Sequence, residues 1–439
     1  MTIHLTGFIA LLVLAWAGAL SVSGPGTNSL PWAIQSQALY LSGLLAIGLM
    51  SLAMVLATRP TWLERPLGGM DRVYRLHKWT AILAVSFAAT HWLLEEGDDL
   101  IKSVFGRHGR PLEEQFSGLL HDVRDVGEEL GEIGIYLLLA MLVLSLLKRF
   151  PYKFWRHVHR AMPLLYLALA FHAAVLAPTH YWSQPLGLLL GMLLVAGSVA
   201  AVMSLLGLVG QSRRARGSIV SISTPSHDVT EMVCQLEPRW RGHRAGQFAF
   251  VSFDRFEGHH PFTIASADHG DRRVTFLIKA LGDFTRALPQ RIAVGQAVTV
   301  EGPYGFFQLP RRNPEARQIW VAGGIGVTPF IAWLEALRAK PDASLITDLH
   351  YSTRNRGTDP FVDRLETLCA DLPGVSLHIH DSQAGSTLSA EHLASMHDGL
   401  RKTEVWFCGP SRFAKRLRTG LTRAWRGRLR FHQEAFEMR

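Results

Sequence analysis

Hydrophobic and polar positions divide the chain at residue 213. Before it, apolar runs recur at 5–22, 34–58, 133–147, 161–177 and 186–210, and a further apolar helix covers 71–95. Runs approaching twenty apolar residues match the hydrocarbon thickness of a bilayer, so this half is expected to form six membrane-spanning helices. The first run resembles a leader in length. Its flank holds no Lys or Arg, however, and a short polar turn pairs it with an equally long second run, which favours a retained span.

After residue 217 the pattern changes to short alternating runs at 218–224, 247–253 and 273–279, punctuated by turn residues. Period-two alternation of this length predicts a small antiparallel barrel. From residue 318 the order becomes strand, glycine turn, helix, with further strands at 344–351, 375–380 and 404–407, as in a doubly wound α/β domain. The expected organisation is therefore a six-helix membrane domain (1–212), an antiparallel β-barrel domain (213–312) and an α/β domain (313–439).

Charge supports this division and gives it an orientation. The formal net charge of +9 comes largely from arginine clusters at the ends of the apolar runs, so nucleic-acid binding is not expected. Residues 59–78 carry five basic side chains against two acidic, 148–160 five against none, and Arg213, Arg214 and Arg216 follow the last run. The opposite connection, 95–132, carries eleven acidic residues and four basic. The positive-inside rule then places the basic stretches and both termini in the cytoplasm, in an integral protein of the cytoplasmic membrane. Cys234, Cys369 and Cys408 include no C-x-x-C pair, which excludes a four-thiolate iron–sulfur cluster and a disulfide framework.

Within the apolar half, His77 and His91 lie fourteen residues apart in one helix. That step is ~21 Å along the axis and only ~40° around it, so one face offers two ligands at two depths. A second segment, 154–176, carries His159 and His172 thirteen apart. A lone histidine in an apolar helix is usually a packed one. Two matched pairs in membrane-length helices point to function, and bis-imidazole ligation of two haem irons is the chemistry they fit. On an ideal helix a thirteen-residue step turns ~140°, so His159 and His172 would not share a face. Pro163, between them, predicts a kink or local unwinding that re-aims one ring. His157, fifteen residues from His172 and ~60° off, is a rival on geometry alone.

The second half carries motifs for flat and phosphorylated ligands. His260-Pro261-Phe262-Thr263, followed by Ser266, places an aromatic beside hydroxyls on an extended strand. Lys279, Gly282 and Thr285 offer a cation, an open backbone and a hydroxyl at a helix start, suited to a pyrophosphate. Gly323, Gly324, Gly326, Val327, Thr328 and Pro329 form a glycine turn between strand and helix, where phosphate can approach backbone amides. In the stretch 350–356, after the second α/β strand, no acidic residue is present to repel a ribose 2′-phosphate. Ser352 and Arg354 there suit phosphate oxygens, with Arg356 adding field, so NADPH is expected over NADH.

The four histidines, Trp155 four residues before His159-Arg160, His260-Pro261-Phe262-Thr263, Gly302-Pro303-Tyr304-Gly305, the glycine turn and Phe407-Cys408-Gly409-Pro410 together resemble the ferric reductase and NADPH oxidase superfamily, over nearly the whole chain. The resemblance implies two b-type haems, a ferredoxin-reductase-like FAD barrel and a nicotinamide domain. It implies that His159 rather than His157 is the ligand, that Cys408, Gly409 and Pro410 lie on the nicotinamide side, and that Phe436 covers the flavin. Three residues follow Phe436, unlike some relatives, and no calcium-binding loop precedes the membrane part, so calcium activation is not expected. The implied activity is transfer of electrons from cytoplasmic NAD(P)H through FAD and two haems to ferric iron or oxygen outside, with no side-chain acid or base. The alternative is a haem membrane subunit serving a quinone or a periplasmic partner.

Overall fold

The computed structural model describes residues 2–27, 29–111, 116–147, 152–254, 258–309, 316–342, 344–397 and 402–434. They form two compact units, Met1–Val209 and Gly210–Arg439.

The first unit is helical: α1 Thr2–Ser23, α2 Leu30–Ala57, α3 Thr61–Leu67, α4 Met70–Glu96, α5 Asp98–Phe105, α6 Leu119–Leu146, α7 Tyr152–His159, α8 Met162–Leu176 and α9 Pro185–Leu205. Prolines open α2, α8 and α9, where the missing N–H has no intrahelical partner to lose. Among the described residues five helical stretches are long and apolar enough to cross a membrane: Ile3–Ser23, Leu30–Ala57, Leu119–Leu146, Phe154–Leu176 and Pro185–Leu205. The expected sixth, α4, is long enough but not among them. His77, His91, Trp79, Trp92 and its charged ends dilute its apolar residues.

Two further differences bear on the site. The helix around His159 and His172 is broken: α7 ends at His159, residues 160–161 form a turn, and α8 restarts at Met162 with Pro163 in its first turn. This is the unwinding that the thirteen-residue spacing demanded. The acidic connection 95–132 is largely helical, because α6 begins at Leu119, fourteen residues before the apolar run at 133.

Small residues let these helices close on one another, as is usual where lipid rather than water surrounds a bundle. Gly48 receives Leu12, Gly134 receives Leu169, and the Tyr166 hydroxyl meets Ser51 Oγ at 2.9 Å. Leu44, Ile47, Leu138, Leu186 and Ala201 fill the centre. The outward faces stay apolar, with Leu137, Leu188 and Val195 exposed, as a lipid-facing surface requires.

The second unit contains two sheets. Strands β1 Arg214–Ser226, β2 Val229–Leu236, β3 Phe248–Ser252, β4 His260–Thr263, β5 Arg273–Lys279 and, after helix α10 Asp283–Arg291, β6 Ala297–Tyr304 pair antiparallel in the order β4-β3-β6-β1-β2-β5. An Ile264–Phe276 bridge joins the two ends of this sheet, closing it around Ile219, Met232, Cys234, Phe276 and Val300. Pro261 is tolerated because β4 is an edge strand of the ladder.

The second sheet is parallel. β7 Ala316–Gly323, α11 Thr328–Ala339, β8 Thr347–Thr353, α12 Val362–Ala370, β9 Val375–Asp381, α13 Ala390–Met396, β10 Lys402–Cys408, α14 Ser411–Ala424 and β11 Leu429–Glu434 give the strand order β11-β10-β7-β8-β9. β11 was not expected as a strand. Phe307 lies against Trp333 (5.0 Å between ring centres), and Trp333 Nε1 donates to Ala245 O, tying the barrel to the α/β layer.

Candidate redox centres

The four membrane histidines meet in two pairs. The rings of His77 and His159 are centred 6.3 Å apart and inclined at 85°; those of His91 and His172 are centred 6.3 Å apart and inclined at 87°. With a metal–nitrogen bond of about 2.0 Å and a ring nitrogen about 1.15 Å from its ring centre, a metal held in line between two imidazoles separates the centres by about 6.3 Å. Both pairs therefore have a spacing at which two imidazoles could hold one metal between them. Three rings turn Nδ1 to a backbone carbonyl: His77 to Ala53 (2.9 Å), His91 to Leu39 (2.9 Å) and His172 to Gly127 (2.8 Å). Such a bond fixes the tautomer and leaves Nε2 free as a donor to metal. The residues fit bis-histidine haem ligation. His157 is exposed, whereas His159 is half-buried at the α7 end.

Two glycines hold these rings by having no side chain. A Cβ on Gly43 of α2 would lie 3.0 Å from His91 Cε1 and Nδ1, and one on Gly131 of α6 would overlap His172. Neither was picked out from the sequence. Gly127 and Gly131 are four apart, the small-xxx-small spacing of a close helix contact, and that spacing was the available signal.

In the barrel, His260, Pro261, Phe262 and Thr263 make up β4, with Thr263 buried. His260 stacks on Phe284 of α10 (3.7 Å, 2°) and Phe262 lies beside Phe276. The polar groups expected at the pyrophosphate have protein partners. Lys279 pairs with Asp228 at 3.2 Å, and Thr285 Oγ1 accepts from the Leu281 and Gly282 amides. Ser266 Oγ accepts from Thr275 N. Gly246, at φ +91°, takes a left-handed conformation against Phe307 O, where a side chain would collide. Tyr304 is core: its hydroxyl donates to the buried Glu301, which also receives Arg214 Nε at 3.0 Å.

In the α/β layer the glycine turn and Cys408-Gly409-Pro410 come together at the carboxyl ends of β7 and β10, the usual ligand edge of such sheets. Gly326 packs on the Cys408 carbonyl, and Gly323 faces Pro410. Gly324 opens the 3₁₀ turn, Val327 and Thr328 are buried, and Pro329 lies in the first turn of α11. Thr328 Oγ1 donates to Ile325 O, so it caps its own turn. Cys408 is buried, and burial, reinforced by the Glu434 carboxylate, pushes its thiol well above the usual range. Glu434 is opposite Cys408 on β11 and beside Gly305, a placement that no spacing in the sequence shows.

At the end of β8, Ser352 Oγ is buried with no hydrogen-bond partner among the described residues, and Arg354 is exposed. The guanidinium of Arg356, largely exposed, pairs with Glu366. Two carboxylates approach this turn. Asp359 accepts from Tyr351 OH and Thr353 Oγ1, and Asp381 accepts from the amides of Arg356, Gln383 and Ala384. Phe436 lies outside the described residues.

A ferric-reductase-like membrane domain joined to an FAD-binding reductase module is thus the class that these centres define. Residues 42–170 match the family model of the ferric reductase like transmembrane component, and residues 214–308 match that of an FAD-binding domain. Together the two matches correspond to a ferric reductase/NADPH oxidase-like superfamily.

The chain is also similar to the carnitine monooxygenase reductase subunit of Escherichia coli, 32% identical over 32% of this chain and 40% of that protein. A second relative is the anthranilate 1,2-dioxygenase electron transfer component of Acinetobacter baylyi, 25% identical over 40% of this chain and 53% of that one. The chain thus spans about half the length of these relatives. Among solved structures, a flavohemoglobin from Malassezia yamatoensis with bound FAD and heme aligns over 93% of this chain and all of that one, at 16% identity and TM-score 0.49.

Proposed function

We propose that the chain is a transmembrane flavocytochrome that takes electrons from cytoplasmic NAD(P)H and delivers them to ferric iron or oxygen on the outer side. The observation that carries this reading is the pair of identical 6.3 Å histidine spacings, one at each end of α4. His77 and His159 would hold the inner b-type haem, and His91 and His172 the outer. When bound, FAD accepts a hydride and gives electrons up singly, and each haem passes one at a time.

The chain's own part is to hold, orient and keep dry. The backbone carbonyls of Ala53, Leu39 and Gly127 fix three ligand rings; Gly43 and Gly131 admit two of them into the helix contacts. Phe262 and Thr263 would face the flavin ring, with His260, Pro261, Ser266, Lys279, Gly282 and Thr285 shaping its surroundings and Phe436 covering it. Gly323, Gly324, Gly326, Val327, Thr328 and Pro329 would admit the dinucleotide phosphates, Cys408, Gly409 and Pro410 would line the nicotinamide side, and Ser352 and Arg354 would favour NADPH.

With six spans, counting α4, the basic stretches would lie in the cytoplasm, and residues 1–212 would be the di-haem domain, 213–312 the FAD domain and 313–439 the nicotinamide domain. The test is cofactor stoichiometry with acceptor discrimination. FAD-loaded protein should contain two low-spin haems per chain and oxidise NADPH with either a ferric chelate or oxygen, the latter read as superoxide dismutase-sensitive cytochrome c reduction. One relative is named as an electron transfer component and another as a reductase subunit, names that suit a second reading in which electrons go to a partner; here that partner would be a periplasmic protein or a quinone. A two-haem protein inert toward both small acceptors would support that reading instead.

A further inference from the structure

The four ligand rings are not held alike. His77, His91 and His172 each donate Nδ1–H to a backbone carbonyl, but His159 Nδ1 is buried with no hydrogen-bond partner among the described residues. Its ring lies instead on the Trp155 indole, with centres 4.8 Å apart and planes at 21°. The indole is itself anchored: Trp155 Nε1 donates to Ser145 Oγ at 2.9 Å, and Ser145 Oγ donates to Met141 O at 2.7 Å, so α6 holds Trp155 and Trp155 holds His159. The local fold explains the need. His159 is the last residue of α7, before the unwound turn, so its ring lacks the support of a continuous helix.

A hydrogen bond from Nδ1–H to a carbonyl shifts electron density toward Nε2, strengthens it as a ligand and stabilises the oxidised metal. The His91/His172 pair has two such bonds and the His77/His159 pair has one. We propose that Trp155 is the positioning residue of His159, taking the place of a backbone acceptor, and that the iron held by His77 and His159 has the higher reduction potential of the two. This inference rests on the two-haem reading above. An electron then reaches the more oxidising centre first, and the more reducing centre faces the acceptor. The step between them runs against the ligand difference and with a membrane potential negative inside, which favours moving an electron outward.

The test is spectroelectrochemical titration of the full-length purified protein with haem counted per chain. The double variant His91→Ala/His172→Ala should keep one haem, and His77→Ala/His159→Ala should keep the other, the first titrating at the higher potential. An equal or reversed order overturns the proposal. If both double variants keep two haems, the ligand assignment itself is wrong, a different and separately visible outcome. Should the double variants fail to fold, the single variants decide. Trp155→Ala opens His159 Nδ1 to water and should lower only the upper of two titration steps and alter one of two low-spin paramagnetic resonance signals. Trp155→Phe, which keeps a stacked ring, should restore both. A Trp155→Ala protein whose two steps are unmoved, or move together, overturns the positioning role.

Discussion

Gly131→Ala is the smallest change that should dislodge His172, a proposed haem ligand. The added methyl would fall well inside 3.0 Å of His172 Cε1 and Nδ1, closer than side-chain carbons approach one another, so the ring must retreat by about 1 Å to regain contact distance. Set against an iron–nitrogen bond of about 2.0 Å, a retreat of that size is half a bond length and breaks ligation. Relief by helix separation is opposed on both flanks, since Gly127 seats Val175 and Gly134 seats Leu169 along the same α6–α8 contact. Overpacking of this kind costs ~1–3 kcal/mol, which a folded bundle survives. The expected product is an intact membrane protein with one haem. Gly43→Ala is the graded comparison: its methyl would meet His91 at 3.0 Å, a few tenths of an ångström too close, so both haems should be kept with the outer one perturbed. Haem per flavin and the low-spin absorption bands of the two variants are the assay. A Gly131→Ala protein with two haems and unaltered bands would show that this glycine does not seat a ligand.

Single alanine substitutions at His77, His91, His159 and His172 should each reduce haem content, whereas His157→Ala, at an exposed position, should leave two haems; loss of haem in the last alone would move the ligand by two residues. Arg354→Ala should raise the KM for NADPH by about ten- to a hundredfold, the worth of one charge-assisted contact to phosphate, while barely moving that for NADH. Equal KM values in the unmodified protein would remove the basis for this contrast.

The reductase unit should lose stability in acid. His350 is pushed down to about 3 and His380 to about 4, first by burial and then by neighbouring imidazoles: His378, His380 and His397 beside His350, and His392 and His378 beside His380. Asp348 acts on His350 in the opposite sense. Unfolded imidazoles take up protons near pH 6.5 that the buried ones refuse. Stability is therefore full above that pH and falls as the pH drops toward about 4, by at most about 1.4 kcal/mol per pH unit for each histidine. Thermal melts at pH 7.5 and 5.5 that coincide would contradict this.

What could be read before folding, and what could not, follows from the range of each interaction. The fourteen-residue step from His77 to His91 is a property of one helix, so it was visible; so was the need for a break near Pro163, because thirteen residues do not close on one face. The partner of each ring was not visible. Leu39 O, Ala53 O and Gly127 O are ordinary carbonyls until a neighbouring helix brings an imidazole to them; Gly43 looks like any small residue of an apolar run, and Gly131 lies among the acidic residues before one. The acidic side chains of 119–132 hid the first half of α6, since hydropathy reports the lipid-facing length and not the helix. In the reductase unit, alternation marked the barrel strands and glycines marked the turn after β7. The pairing of Lys279 with Asp228 and of Arg356 with Glu366 depends on tertiary approach, as does the placing of Glu434 beside Cys408.

In the proposed function, electrons cross the membrane through two histidine-held haems. Purified protein in sealed vesicles, with the reductase unit outward and cytochrome c trapped in the lumen, tests it most directly when NADPH is added outside. The trapped cytochrome c should be reduced in step with NADPH consumption, and this reduction should be abolished in the His91→Ala protein although the dye-reducing activity of its flavin persists. NADPH consumption with reduction only of acceptors on its own side of the membrane would contradict it.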